Sequence, residues 1–168
     1  MFDAELVAEA TRTLEAARAA GALLVTAESC TGGLVAGVLT AVAGSSDAVF
    51  GGYVTYANSA KVALGVPEPL LAAHGAVSEE VARALAEAAR DRAGAADTAQ
   101  PVVSVAVTGV AGPGGGSATK PVGLVHFAAA GTDGVLHREA RFGDIGRDNV
   151  RRESILTAFS LLREALNR

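Results

Sequence analysis

Two small nucleophiles stand side by side in Thr26-Ala27-Glu28-Ser29-Cys30-Thr31-Gly32-Gly33, and the chemistry such a stretch suits is attack by an activated hydroxyl or thiol. Ala22 to Val25 is a short, bounded apolar run that fits a buried strand, whereas Leu34, Val35, Val38, Leu39 and Val42 recur at helical spacing. The turn between them presents Ser29 at the carboxyl end of a strand. It also lies near a helix amino terminus, where unpaired N–H groups and the helix dipole favour a phosphate or a developing oxyanion. The same residues equally suit a plain strand-to-helix turn capped by Ser, Thr and Gly.

A nucleophile needs a base, and the cation usage offers one. Of the 14 basic residues, 12 are arginine and only Lys61 and Lys120 are lysine. Arginine keeps its proton in a protein, whereas a desolvated lysine can lose it. Bringing a lysine from its ordinary ~10.4 to the ~7 to 8 useful in a base costs roughly 4 kcal/mol, within reach of a small dry pocket lined by Ala and Val. In Tyr56-Ala57-Asn58-Ser59-Ala60-Lys61, Asn58 is a natural helix cap and Lys61 falls one turn in, on the side that can face a neighbouring strand end. Tyr56 and Lys61 are thereby expected to converge. Cys30 is the rival nucleophile, and no histidine lies near it in sequence.

The elements that must position these groups follow from periodicity. A helical stripe from Asp3 to about Ala19 precedes the central strand, and a helix from Thr31 to about Ala43 follows it. Val49 to Tyr56 reads as a second strand with a possible bulge at Gly51-Gly52. Ser78 caps a helix reaching Gly94, and Ala95 to Gln100 is a connecting loop. Val102 to Val107 is a further strand, opening into a loop with five glycines in the eight residues from Gly109 to Gly116. Those glycines allow close backbone approach or an anion nest, yet the loop lacks the G-x-x-x-x-G-K-[ST] pattern of a triphosphate site. Val122 to Ala130 and Val135 to Phe142 form an antiparallel pair about Thr132-Asp133-Gly134, and a long helix runs from about Asp148 to Leu166. Arg147, Arg151 and Arg152 crowd its amino-terminal half, which suits either an anionic partner or a solvated face.

This order predicts an α/β fold, a three-layer sandwich with a mixed, mostly parallel sheet of about five strands. In such sheets the site forms beyond the carboxyl ends of the strands, where Ser29, Tyr56 and Thr108 would lie. At 168 residues and 50% hydrophobic content, one domain over residues 1–168 is expected. A net charge of −4 argues against nucleic acid as a partner. The absence of zinc-like Cys/His spacing argues against a metal, and no cofactor is expected. No run approaches a membrane span and the opening residues lack a basic leader, so a cytoplasmic location is expected.

Taken together, Thr26–Gly33, Val54-Thr55-Tyr56-Ala57-Asn58 with Lys61, His74–Ser78, and Thr108-Gly109-Val110-Ala111-Gly112-Pro113 with Lys120-Pro121-Val122-Gly123 resemble the CinA carboxy-terminal domain family, four motifs in the family's order. Stand-alone members include nicotinamide-mononucleotide deamidases. The resemblance implies hydrolysis of nicotinamide mononucleotide to nicotinate mononucleotide and ammonia, a step in pyridine-nucleotide recycling, without a metal. It implies Ser29 as nucleophile, Lys61 as base and Tyr56 as its helper, with Thr31, Gly32, Gly33, Asn58, Thr108, Gly109 and Gly112 lining the pocket. A homodimer is implied as well, and the additional amino-terminal domain of longer members is expected to be absent. One departure touches Arg147: Ile145-Gly146 is inserted where many relatives read Gly-Asp-Arg. The competing expectation is a non-catalytic CinA-type binding or regulatory module linked to competence or DNA damage.

Overall fold

The computed structural model describes residues 1–96 and 99–168; Asp97 and Thr98, within the connecting loop expected over Ala95–Gln100, lie outside the described residues. The elements follow in the order α1 (Ala4–Ala19), β1 (Leu23–Glu28), α2 (Leu34–Thr40), β2 (Val49–Val54), α3 (Asn58–Leu64), α4 (Glu68–His74), α5 (Glu79–Gly94), β3 (Val102–Gly109), β4 (Leu124–Gly131), β5 (Gly134–Arg141) and α6 (Arg147–Leu166). No helix among the described residues is long and apolar enough to cross a membrane.

Local chemistry sets most of these boundaries. Asp3 caps α1 by accepting the Leu6 N–H, and Ser78 caps α5 by accepting that of Val81, with Glu79 and Glu80 favourably placed in the first turn. The helix expected from Thr31 begins only at Leu34, because Gly32 and Gly33 have φ of +63° and +96° and cannot continue a right-handed helix. It also ends early, at Thr40. Strand β2 stops at Val54, short of Tyr56: Thr55 N–H still donates to Glu28 O, after which the chain turns into α3. The expected cap Asn58 is instead the first residue of α3, and extended Ala57 precedes it without a side-chain cap.

One five-stranded sheet runs in the order β2-β1-β3-β4-β5. β1 pairs in parallel with β2 and β3, whereas β4 is antiparallel to both β3 and β5, so four strands share a direction and β4 alone is reversed. In the β1–β2 register Leu24 faces Val49 and Val25 faces Gly51, which leaves Phe50 as the extra residue of a bulge beside the suspected glycines.

Helices α1, α2 and α6 cover one face and α5, with α3 and α4 packed on it, covers the other, giving the three layers. Strand alternation divides the core between the two faces. Leu24, Val105, Val107 and Phe127 pack under α1 and α6, while Val25, Ala27, Ala106 and Ala128 pack under α5. Every residue of β4 is buried, which explains why that stretch reads as apolar on both alternating faces.

Candidate active site

β1 lies between β2 and β3, and its carboxyl end delivers Glu28 and Ser29 into the space that all three strands border. The Ser29 N–H donates to Val107 O at 2.9 Å, and the Gly32 N–H returns to Ser29 O at 3.1 Å, closing a tight turn. Glu28 is fully buried behind it. Its carboxylate accepts the N–H groups of Gly33, Val35 and Ala36 at 2.9, 3.0 and 2.8 Å and the Thr26 hydroxyl at 3.0 Å. This corrects the expectation of a helix terminus open to an anion, because the protein's own carboxylate already fills the amino end of α2. Among the described residues no other backbone group accepts from the Cys30 and Thr31 N–H groups.

Lys61 enters from α3 and is 1% exposed, among the largest fully buried side chains of the described residues. Its Nζ lies 3.1 Å from Ser29 Oγ, 2.6 Å from Thr55 O and 3.3 Å from Tyr56 O. Burial holds its pKa below the usual lysine range, and no carboxylate among the described residues pairs with it to oppose that shift.

Tyr56 approaches Lys61 through its backbone carbonyl and not through its ring. The side chain is 61% exposed, and its hydroxyl accepts from Arg147 at 3.1 Å. Arg147, in the first turn of α6, also donates to Gly112 O at 2.8 Å. Ser29, Tyr56, Gly109, Gly112 and Arg147 are among the residues bounding a cavity of 260 Å³. Larger depressions of 670 Å³ beside α5 and 410 Å³ between α3 and α4 hold no nucleophile–base pair, so chemistry and not size marks the site.

The other sequence-predicted residues take varied places. Thr31 is fully buried with an unpartnered hydroxyl, and Gly32 and Gly33 shape the turn. Asn58 borders the 410 Å³ groove and not the Ser29 cavity. Thr108 spends its hydroxyl on Ala76 O at 2.7 Å, which ties β3 to the segment before α5. Gly109 lines the cavity because nothing larger fits: a Cβ there would stand 2.7 Å from Leu124 O. Lys120, the second lysine, donates to His74 O at 2.6 Å and clasps the glycine-rich loop to the end of α4. Cys30 is buried, and desolvation pushes its thiol up to about 12, so at neutral pH the rival nucleophile stays protonated.

Sequence reasoning gave no role to Glu28 or the Thr55 carbonyl, and placed Arg151 only in a cluster suited to an anionic partner or a solvated face. The first has one signal, an acid ending an otherwise apolar strand, and Arg147 and Arg151 share one helix face by their four-residue spacing. Arg152 is not part of that face's chemistry, since it pairs with Asp3, Glu5 and Glu153.

A family model described as the CinA C-terminal domain matches residues 7–166. A CinA-like protein of Synechococcus sp. (strain RCC307) is 51% identical over 164 residues, covering 96% of this chain and 38% of the relative. Another, from Anaeromyxobacter dehalogenans (strain 2CP-C), is 55% identical over 150 residues, covering 88% of this chain and 35% of the relative. The chain therefore spans well under half the length of either. The crystal structure of competence/damage inducible protein CihA from Agrobacterium tumefaciens superposes with a TM-score of 0.91 at 47% identity, covering 100% of this chain and 99% of that one. A CinA superfamily protein from Klebsiella pneumoniae superposes at 0.87 with 33% identity, covering 96% and 98%.

Proposed function

The chain belongs to the CinA C-terminal domain family, and from that membership we propose that it hydrolyses the carboxamide of nicotinamide mononucleotide to nicotinate mononucleotide and ammonia, with Ser29 as nucleophile and Lys61 as base. The observation that carries this reading is the surroundings of Lys61 Nζ. A neutral amine has two hydrogens and one lone pair. With its hydrogens given to the Thr55 and Tyr56 carbonyls, which can only accept, the lone pair is left for the Ser29 hydroxyl.

The steps follow from that arrangement. Lys61 takes the Ser29 proton as Oγ attacks the carboxamide carbon, and the oxyanion that forms is met by the Cys30 and Thr31 N–H groups. The protonated amine then gives its proton to the departing nitrogen, which leaves as ammonia, and an acyl-serine ester remains. Water, deprotonated by the same amine, attacks the ester and releases the carboxylate with Ser29 restored. No step calls for a metal.

Arg147 is the cation we assign to the substrate phosphate. It borders the cavity, and among the described residues it meets only neutral groups, Gly112 O and the Tyr56 hydroxyl, with no carboxylate to cancel its charge. A homodimer belongs to the same proposal. Phe50 and Val54 on the outer strand β2 and Val62 on α3 are exposed apolar residues that suit it, and sedimentation velocity tests it.

The deciding experiment is ammonia release from nicotinamide mononucleotide by purified protein in the presence of a chelator, with Lys61→Arg alongside. Release by wild type and none by the variant is expected. No release by wild type rejects the substrate and turns the reading to a CinA-type binding or regulatory module.

A further inference from the structure

The turn that carries Ser29 is held by bonds of its own and by anchors from distant parts of the chain. The Ser29 N–H is fixed on Val107 O, and the turn's far end is fixed by the Glu28 carboxylate. The middle, the Thr31–Gly32 peptide, has local bonds, Gly32 N–H to Ser29 O at 3.1 Å and Leu34 N–H to Thr31 O at 3.3 Å. It is held in addition, by its shorter carbonyl contact, from the other end of the chain. An Arg151 terminal nitrogen on α6 donates to Thr31 O at 2.9 Å across 120 positions. The same nitrogen lies 3.2 Å from where a Cβ on residue 32 would stand, so guanidinium and turn are packed together around a glycine.

Three features separate Arg151 from the arginines around it. No carboxylate among the described residues pairs with it, whereas its neighbour Arg152 meets three. Its Nε is buried without a hydrogen-bond partner, and among the described residues the other buried side-chain atom in that state is Thr31 Oγ1, across the same contact. Two unsatisfied polar atoms at one contact are costly, and native structures keep such groups where something other than stability is served. Finally, Arg151 is not one of the residues bounding the Ser29 cavity, unlike Arg147 one turn before it.

We infer that Arg151 is a positioning residue for the nucleophile turn: by gripping the Thr31 carbonyl it fixes the Cys30 and Thr31 N–H groups as oxyanion donors and keeps Ser29 Oγ on Lys61, without touching substrate. The inference rests on the serine–lysine reading of the site. Rotation of the Thr31–Gly32 peptide would swing the adjoining N–H groups away from the oxyanion. A misplacement of about 1 Å at a reacting centre costs on the order of 100-fold in rate. The uncancelled guanidinium charge adds to this by favouring the anionic intermediate over the neutral amide.

Arg151→Met and Arg151→Lys test it in two assays, steady-state ammonia release from nicotinamide mononucleotide and the rate at which a fluorophosphonate labels Ser29. Arg151→Met is expected to lower kcat and the labelling rate each by about 100-fold while KM and the melting temperature stay near wild type. Arg151→Lys, which keeps a donor for Thr31 O, is expected to recover part of both losses. Wild-type kcat and labelling in Arg151→Met overturn the inference, as does a rise in KM at constant kcat, which marks a substrate cation instead. If Arg151→Met does not fold, Arg151→Lys decides: a partial loss of kcat at unchanged KM supports the inference, and wild-type kcat rejects it. Failure of the underlying reading looks different. Absence of fluorophosphonate labelling in wild type removes the nucleophile and the inference with it. Labelling without ammonia release removes only the substrate, and the labelling rates still judge Arg151.

Discussion

Lys61 Nζ lies 3.1 Å from Ser29 Oγ although 32 positions separate the two residues in the chain. Two loops at the carboxyl ends of neighbouring parallel strands bring them together, the turn after β1 and the turn after β2. The amine is buried, and among the described residues it has no anionic partner; its contacts are a hydroxyl and two carbonyls. Burial without an anion favours the neutral amine, which is the form a base requires.

The pH dependence of turnover follows with a definite sign. Desolvation lowers the Lys61 pKa, and only the unprotonated amine accepts the Ser29 proton, so kcat/KM rises with pH and levels off above the folded-state value. Stability moves the same way. Between the lowered folded value and the ordinary ~10.4 the unfolded chain binds the proton more tightly, so stability rises with pH across that window and the burial penalty is fully present below it. Wild type is therefore expected to gain stability relative to Lys61→Met as pH is raised from neutral. Thermal melts of the pair at pH 7 and 9.5 read this out, and a gap independent of pH would place the folded value at the ordinary one.

Cys30 adjoins the nucleophile without being one. Its thiol is buried and pushed up to about 12, so at pH 8 almost none is thiolate. Native protein is expected to resist iodoacetamide at that pH and to react on denaturation. Cys30→Ala is expected to keep most of the activity, the exchange removing one buried sulfur from the core under α2. Rapid alkylation of the native protein with parallel loss of activity would make the cysteine the attacking group.

What the sequence discloses is what neighbours in the chain decide. The helix after Ser78, the hairpin about Thr132-Asp133-Gly134 and the bulge beside Gly51 all rest on local rules, and the structure has each of them. So does the three-layer architecture with its mixed sheet, which follows from the order of the elements. Asn58 was legible as a helix start but misplaced by one residue, because Ala57 caps by backbone angles alone and no side chain signals it. Tyr56 was rightly set near the amine, yet which of its groups faces Lys61 depends on Arg147, 91 residues further along. The bonds of Glu28 and the contact of Arg151 with Thr31 escaped for the same reason: apart from the Thr26 hydroxyl, the partners are backbone atoms, and a backbone N–H or C=O has no letter in the sequence.

Arg147 is expected to act on affinity. A guanidinium gripping a phosphate contributes on the order of 1.5 to 3 kcal/mol, so Arg147→Met should raise KM for nicotinamide mononucleotide roughly tenfold or more. The same variant should treat the phosphate-free riboside much as wild type does. An equal loss with both substrates would assign Arg147 to holding the Gly112 loop, the other group to which it donates.

Glu28→Gln tests what keeps the turn rigid. The wild-type carboxylate only accepts, and it receives three N–H groups and one hydroxyl with no exposure to solvent. Oε1 takes Thr26 and Ala36; Oε2 takes Gly33 and Val35. In glutamine an NH2 in the Oε2 place faces the Gly33 and Val35 N–H groups, and one in the Oε1 place faces that of Ala36 while the Thr26 hydroxyl can turn to accept. Whichever way the amide is turned, at least one buried N–H loses its acceptor. Removing one partner from a buried charged network costs roughly 3 kcal/mol, and in a domain of this size each kcal/mol lowers the melting temperature by about 2 to 4 °C. Glu28→Gln is thus expected to melt roughly 6 to 12 °C below wild type, with turnover falling because the Cys30 and Thr31 N–H groups lose their fixed direction. Differential scanning calorimetry settles the first part. Melting at the wild-type temperature would mean that the α2 amino terminus does not depend on the Glu28 carboxylate for its acceptors.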